Sequence, residues 1–380
     1  MIRIDKKCEF VISMLESSGF EAFAVGGCVR DSLMNIETSD YDITTSALPE
    51  ETKRVFSNFN VIETGIKHGT ITVIVDKTPF EITTYRQENG YTDNRRPDEV
   101  TFVNDIKLDL SRRDFTVNAI AFSPTKGIID PFCGIDDIDK RVIRAVGDPK
   151  KRFSEDSLRI IRALRFSSTL GFDIDYETLM AIKELSKTLK NVSPERLYNE
   201  LKKLINGNFA KTVIEEYKDS LVGIFDINDD ISKLDKLEKD CSMRFAYLCK
   251  NAEEALGYLK ADNETKRLVK LFLESSLIPK EVYLLKKRIS SIGREDYQRV
   301  VKYRRALFDE DECCLTEKII DECKCLSVRE LDINGNDLKM LGMTGKRIGE
   351  TLDFLLDKVL KEEIVNKKEV LLIKAKDIDI

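Results

Sequence analysis

The sequence predicts an α+β protein, with a head built on a small sheet followed by a long, all-helical body. Three observations carry this reading. Up to about residue 140, short runs rich in Val, Ile, Thr and Phe alternate with helix-like stretches. After Pro149 the strand signals nearly vanish. The chain has 380 residues, 42% hydrophobic and 34% charged, enough for roughly two to four domains with their own cores.

Taken in order, AFAV, DYDITT, GTITVIV, PFEITTYR and EVTFV read as strands, with CVRDSLMN and FTVNAIAF as helices between them. SEDSLRIIRALRFSSTLGF reads as one helix with Ser154 as its N-cap and acids in the first turn. SPERLYNELKKLI opens with Ser193 as N-cap and Pro194 at the first helical position. Near the end, LDINGNDLKMLGMTGKRIGETLDFLLDKVL reads as a helix–turn–helix with Ile348, Leu352, Leu355 and Val359 in its core. No internal repeat or low-complexity linker is visible.

Composition excludes several classes. No apolar run is long enough to span a membrane, and MIRIDKKCEF does not read as a signal peptide. Nine cysteines without a secretory signal point to free thiols in a reducing cytoplasm. Cys313, Cys314, Cys323 and Cys325 cluster, but in no usual zinc spacing, so they read as thiols. The single histidine, His68, excludes histidine-rich phosphohydrolase sites and leaves little for a Ser-His-Asp triad. Chemistry here therefore runs on carboxylates. The net charge is −6, yet Arg141 to Arg165 holds eight Lys/Arg against three acids. Such a local basic face suits a polyanion.

Asp40 and Asp42 are one residue apart in a strand-like run, so both side chains point the same way. Like charges that close need a cation, and a hard ion such as Mg²⁺ takes oxygen ligands and keeps room for phosphate. Glu81, opposite Phe80 and Ile82 in its strand, is a third acid for two metals and an in-line displacement at phosphorus. Gly26 and Gly27 precede a helix, where backbone N–H groups can approach phosphate, and Arg30 adds donors. Ser111 and Asp114 look like a cap for the FTVNAIAF helix. Arg112 and Arg113 then fall in its first turn, where the dipole disfavours cations unless a triphosphate compensates them.

Asp156, Arg159, Arg162 and Arg165 recur every three residues and form one row on a helix. An ordinary reading is a solvated stripe with an Asp156–Arg159 ion pair. A chemical reading exists because Asp accepts and Arg only donates. Cytosine and adenine both present an amino donor beside a ring-nitrogen acceptor, whereas uracil and guanine present the reverse. Asp156 and Arg159 together would accept C and A and reject U and G.

In order, GGCVRD, DYD, the glutamate of FEITTYR, SRRDFTVNA, EDSLRIIRALRF and SPERLYNEL resemble the class II tRNA nucleotidyltransferases. That family includes the CCA-adding enzymes and bacterial poly(A) polymerases, and the resemblance covers about the first 205 residues. It implies a small mixed-sheet nucleotidyltransferase head (1–140), then helical neck (141–206), body (207–310) and tail (311–380). It implies that Asp40 and Asp42 hold Mg²⁺ with Glu81 as third carboxylate, and that Gly27, Arg30 and Arg112 or Arg113 meet phosphates. Asp156 and Arg159 would select the base, with Arg162 and Arg165 supporting them. The helical half would lie along the tRNA acceptor stem, and the G-x-x-G-x-x-I-G turn near Gly342 resembles the family's tail.

The activity implied is C, C and A addition to tRNA 3′ ends from CTP and ATP, releasing pyrophosphate. RQENGYTDNRRPDE, residues 86–99, resembles the family's flexible loop and favours full CCA or A addition. A-only addition, as a terminal A-adding enzyme or poly(A) polymerase, is the alternative. A non-catalytic tRNA-binding protein is the alternative of another class, against which three clustered acids argue.

Overall fold

The computed structural model describes residues 2–38, 40–89, 99–221, 223–274, 279–308 and 312–377. Most of the loop at 86–99 expected to switch activity, residues 90–98, lies outside them. The chain forms two compact units, Met1–Ile227 with Gly257–Lys260, and Asn228–Leu256 with Ala261–Ile380.

The first unit is built on strands β1 (Ala22–Val25), β2 (Asp42–Thr45), β3 (Asn60–Ile62), β4 (Thr70–Val75) and β5 (Thr78–Thr84). A ribbon of β6 (Arg86–Asn89) and β7 (Glu99–Phe102) follows, then β8 (Ala121–Ser123) and β9 (Gly127–Ile129). Seven of these strands make one mixed sheet in the order β3-β4-β5-β2-β1-β8-β9. Only β2 and β5 pair in parallel; the other neighbours run antiparallel. Helix α1 (Lys6–Ser17) places Cys8, Val11, Ile12 and Leu15 in the core, spaced for one helix face. Helices α2 (Gly27–Leu33), α3 (Pro49–Val55) and α4 (Ile106–Ser111) connect the strands. Phe23, Val25, Tyr85, Ile106, Leu110 and Ala121 close a second buried cluster.

Past α5 (Gly134–Lys140), this unit is mainly helical, with α6 (Pro149–Glu155), α7 (Leu158–Leu170), α8 (Tyr176–Leu185) and α9 (Pro194–Ile205) beside one short two-stranded pair, Val142–Ile143 with Asp173–Ile174. Helices α7 and α9 pack closely: Ser168 Oγ donates to the Leu204 carbonyl at 2.6 Å. A methyl group on Gly207 would lie 2.1 Å from that same Oγ, so only glycine fits there.

Four expectations are corrected. FTVNAIAF is not a helix but a short 3₁₀ turn, Thr116–Asn118, leading into β8. Phe115 to Ala121 is buried throughout, and such an apolar run suits helix or strand alike until a sheet partner, here β1, decides. Arg112 and Arg113 therefore do not open a helix; Arg112 is the C-cap of α4, where the dipole favours cations. Ser154 is not an N-cap either, since it lies inside α6, which Asp148 caps through Lys150 N and Lys151 N. The chain breaks at Asp156, extended at φ −143° and ψ 102°, and α7 starts after Ser157. Asp156 is thus outside the helical row. Ser193 and Pro194 do open α9, although the Ser193 hydroxyl makes no capping bond.

The second unit is all-helical among its described residues, with long helices Arg294–Phe308 and Lys346–Leu360. Its core gathers Leu285, Tyr297, Val301, Leu338, Leu355 and Leu371, with Ile348, Leu352 and Val359 half-buried against it. The helix–turn–helix expected there is present as Gly335–Met340 and Lys346–Leu360, joined through left-handed Gly342.

Candidate active site on the β2–β5 edge

Pairing of β2 with β5 sets Asp42 in register with Glu81, and Thr72 of β4 lies on the far side of Glu81. One residue on, Ile43, Ile82 and Ile71 form the buried face, so both acids stand on the opposite, exposed one. Asp40 precedes β2 and is also exposed, while Tyr41 between the aspartates is buried. The alternation expected from sequence holds across this turn into the strand. The Asp42 carboxyl is raised above the ordinary range, first by desolvation and then by Glu81 and Asp40, while Arg113 opposes them. Among the described residues no three His, Cys, Asp or Glu side chains converge closely enough to hold an ion unaided. A hard divalent cation needs only one or two protein carboxylates when water and phosphate supply its remaining ligands.

Val25 pairs with Asp42, so the next residue, Gly26, lies beside the acids. Gly26 has φ 81° and ψ −132° as N-cap of α2, a backbone that side chains strain to adopt. A methyl group there would sit 3.3 Å from Arg113 Nη1 and 4.0 Å from Asp42 Oδ2. Gly26, Asp42 and Arg113 thus share one corner, with Gly27 as the first residue of α2.

The two arginines after α4 are organised by Asp109, whose side chain is fully buried. Its Oδ1 accepts from Arg112 Nε at 3.0 Å and Nη2 at 2.8 Å. Its Oδ2 accepts from Arg113 Nη2 at 3.4 Å and Thr44 Oγ1 at 3.3 Å. Burial alone would raise this carboxyl, but Arg112 and Arg113 outweigh it and hold it below the ordinary range. Arg113 Nε is buried without a partner.

A second chain of contacts joins the sheet region to α7 and α9. Arg30 Nη1 donates to Asn118 Oδ1 at 2.6 Å, and Asn118 Nδ2 to Asp114 Oδ1 at 3.2 Å. Arg162 reaches Asp114 Oδ2 through Nε at 2.8 Å and Nη2 at 2.6 Å. Glu200 of α9 then pairs with Arg162 at 3.5 Å and Arg165 at 3.0 Å. The guanidinium carbon of Arg165 lies 3.6 Å from the Phe166 ring centre, with those of Arg30 and Arg162 at 5.1 and 5.4 Å. Burial pushes Arg165 down to about 10, against the pull of Glu200.

Asp156 and Arg159 make no ion pair with each other; each is held elsewhere. Asp156 accepts from Arg196 Nη2 at 2.7 Å and from Leu158 N at 3.1 Å. Arg159 donates to Glu155 at 3.0 Å, the Arg152 carbonyl at 3.2 Å and the Arg112 carbonyl at 3.1 Å. Three of its five N–H donors are therefore committed, and two remain. The basic run from Arg141 to Arg165 is not a bare cationic face, since Arg144, Lys150, Arg152, Arg159, Arg162 and Arg165 all pair with acids.

Comparison with known proteins supplies what geometry alone does not. A sequence profile described as the Poly A polymerase head domain matches residues 22–144. Profiles for the RNA and SrmB- binding site of polymerase A and for tRNA nucleotidyltransferase domain 2 match residues 171–222 and 242–375. The CCA-adding enzyme of Lactobacillus helveticus (strain DPC 4571) is 35% identical over 402 residues, covering 100% of both chains.

The chain belongs to the CCA-adding enzyme family.

A second member, from Enterococcus faecalis (strain ATCC 700802 / V583), is 36% identical over 98% of this chain and 95% of its own. The crystal structure of Bacillus stearothermophilus CCA-adding enzyme in complex with CTP aligns with TM-score 0.77 at 30% identity, covering 97% and 96% of the two chains. As a member of this family the chain is an enzyme, a nucleotidyltransferase. No helix among the described residues is long and apolar enough to cross a membrane. The cysteines whose side chains are described are free.

Sequence reasoning missed Asp109, Asn118, Arg196 and Glu200 as partners of the site residues, and read Asp114 only as a cap. Their signal was present, because acids and amides lay near arginines in DLSRRDFTVNA and SPERLYNEL, but nothing local said which would meet. Asp114 yields a prediction. Burial would raise its carboxyl, but Arg162 and Asn118 hold it down to about 2, against an ordinary 3.8. A depressed folded-state value stabilises fully above about pH 4, and the benefit is lost as pH falls through about 2. Urea unfolding should show a loss of roughly 2 kcal/mol between pH 4 and pH 2. Asp114→Asn should be less stable at pH 7 and lack that part of the pH dependence.

Proposed function

We propose that this protein adds C, C and A to the 3′ ends of tRNA from CTP and ATP, without a nucleic-acid template, releasing pyrophosphate. The observation that carries the reading is the in-register pairing of Asp42 with Glu81 beside Gly26 and Arg113, in a chain related over its full length to CCA-adding enzymes. Asp40 and Asp42 would hold Mg²⁺, with Glu81 as the third carboxylate of a two-metal site. When bound, Mg²⁺ neutralises phosphate charge and favours the deprotonated form of the attacking 3′-hydroxyl.

The remaining steps fall to the chain's own side chains. Gly26 and Gly27 leave space for triphosphate oxygens at the start of α2. Arg113 is the arginine beside the acids, so it meets phosphate, whereas Arg112 braces α4 against Arg159. Arg30, held by Asn118 and Asp31, presents its remaining donors on the same side. Asp156, fixed by Arg196, takes the exocyclic amino group of C or A, and Arg159 gives a remaining donor to the ring nitrogen. Arg162 and Arg165 keep α7 in place through Asp114 and Glu200. Of the four-part division into head, neck, body and tail, the head and neck fall in the first compact unit. The free cysteines among the described residues fit a reducing compartment, the cytoplasm.

Incubation with tRNA transcripts ending before CCA or in CC, with Mg²⁺ and single labelled nucleotides, tests the reading. C incorporation on the first and A on the second are expected. A incorporation alone would leave an A-adding enzyme, and none on either would leave a tRNA-binding protein. Asp42→Ala should abolish incorporation while tRNA affinity in a filter-binding assay stays within about tenfold, roughly 1.4 kcal/mol; equal loss of both would make the aspartates structural. Asp156→Ala should relax base choice, because the wrong base no longer leaves its own carbonyl facing a carboxylate acceptor, a penalty of about 1–3 kcal/mol. Unchanged discrimination against UTP and GTP would remove Asp156 from base selection.

A further inference from the structure

We propose that Asp109 is a positioning residue: its buried carboxylate tethers Arg113 and keeps that guanidinium off Asp42, leaving the Asp42–Glu81 edge open to a divalent cation. The inference rests on the proposed two-metal site. Its starting point is a competition that the fold creates. Arg113 Nη1 and Asp42 Oδ2 flank the same point above Gly26, at 3.3 and 4.0 Å. A guanidinium on a flexible side chain that borders the same corner as a carboxylate can close into an ion pair with two parallel bonds. Such a pair would occupy the oxygens that a metal needs. Yet the ion pair Arg113 forms among the described residues goes to Asp109, at 3.4 Å.

Burial explains why Asp109 prevails. The Asp109 side chain has no exposure, so its charge is poorly screened and must be met by protein cations. Asp42 stands at the exposed start of β2, where water or a metal ion can satisfy it. Both Asp109 oxygens are committed, Oδ1 to Arg112 and to the backbone N–H of Arg86 at 3.3 Å, and Oδ2 to Arg113 and Thr44. Thr44 is two residues beyond Asp42 on the same face of β2, so the tether is anchored to the strand that carries the aspartate. One buried acid thus fixes the distance between the phosphate-facing arginine and the carboxylates.

Mn²⁺ binding to the full chain without nucleotide, followed by electron paramagnetic resonance, tests this. Asp109→Asn keeps the shape of the side chain and removes its charge. It should weaken Mn²⁺ binding about tenfold, because Arg113 then turns to Asp42. Adding Arg113→Ala to that variant should restore binding to within threefold of wild type, an outcome a general loss of structure would not give. Unchanged affinity in Asp109→Asn, or no rescue in the double variant, overturns the tether. If Asp109→Asn does not fold by near-ultraviolet circular dichroism, Arg113→Ala alone decides. A restrained guanidinium does not compete, so Mn²⁺ affinity should stay within threefold of wild type. A gain above tenfold would mean that Arg113 already sits on Asp42. Failure of the underlying reading looks different: wild type would then bind no Mn²⁺ that Asp42→Ala removes.

Discussion

The parallel pairing of β2 with β5 is the constraint on which the rest depends. It is the single parallel contact in an otherwise antiparallel sheet, and it puts Asp42 and Glu81 side by side although 39 residues separate them in the chain. Parallel neighbours in register project their side chains to the same face. The fold therefore accepts two carboxylates side by side, and the Asp42 carboxyl is raised first by desolvation and then by Glu81 and Asp40, against the pull of Arg113. A cation bound between such carboxylates would relieve their repulsion.

Around that edge the protein spends its arginines in two ways. Arg112, Arg162 and Arg165 are locked to acids or stacked on an aromatic ring, and act as braces between elements. Arg113 and Arg159 keep donors available. The division follows from the neighbouring acids. Asp109, Asp114 and Glu200 are buried, and buried carboxylates must be paired, so they claim the guanidinium groups nearest them. An arginine-rich stretch on an acidic protein is thus less a cationic surface than a scaffold with a few donors left over.

Much of the site was legible before any coordinates. The spacing of Asp40 and Asp42 gave their shared direction, the Phe80-Glu81-Ile82 alternation gave the outward glutamate, and the Gly26-Gly27 pair marked the turn. These readings succeeded because strand periodicity and glycine backbone freedom are local properties. FTVNAIAF failed because a fully buried apolar run carries no periodicity, so the partner strand chose its conformation. The helix break at Asp156 failed for a related reason: the segment has good helical periodicity, and a tertiary partner, Arg196, holds the residue in an extended conformation.

By itself the sequence determined the class of the fold and the exposed, alternating placement of Asp40, Asp42 and Glu81, since residue type and short-range spacing set these. Only the tertiary structure decided which charges meet. Asp156 pairs with Arg196 rather than Arg159, and of two adjacent arginines one braces while the other faces the acids. Ion pairing depends on distance and burial, and neither is written in the order of residues along the chain.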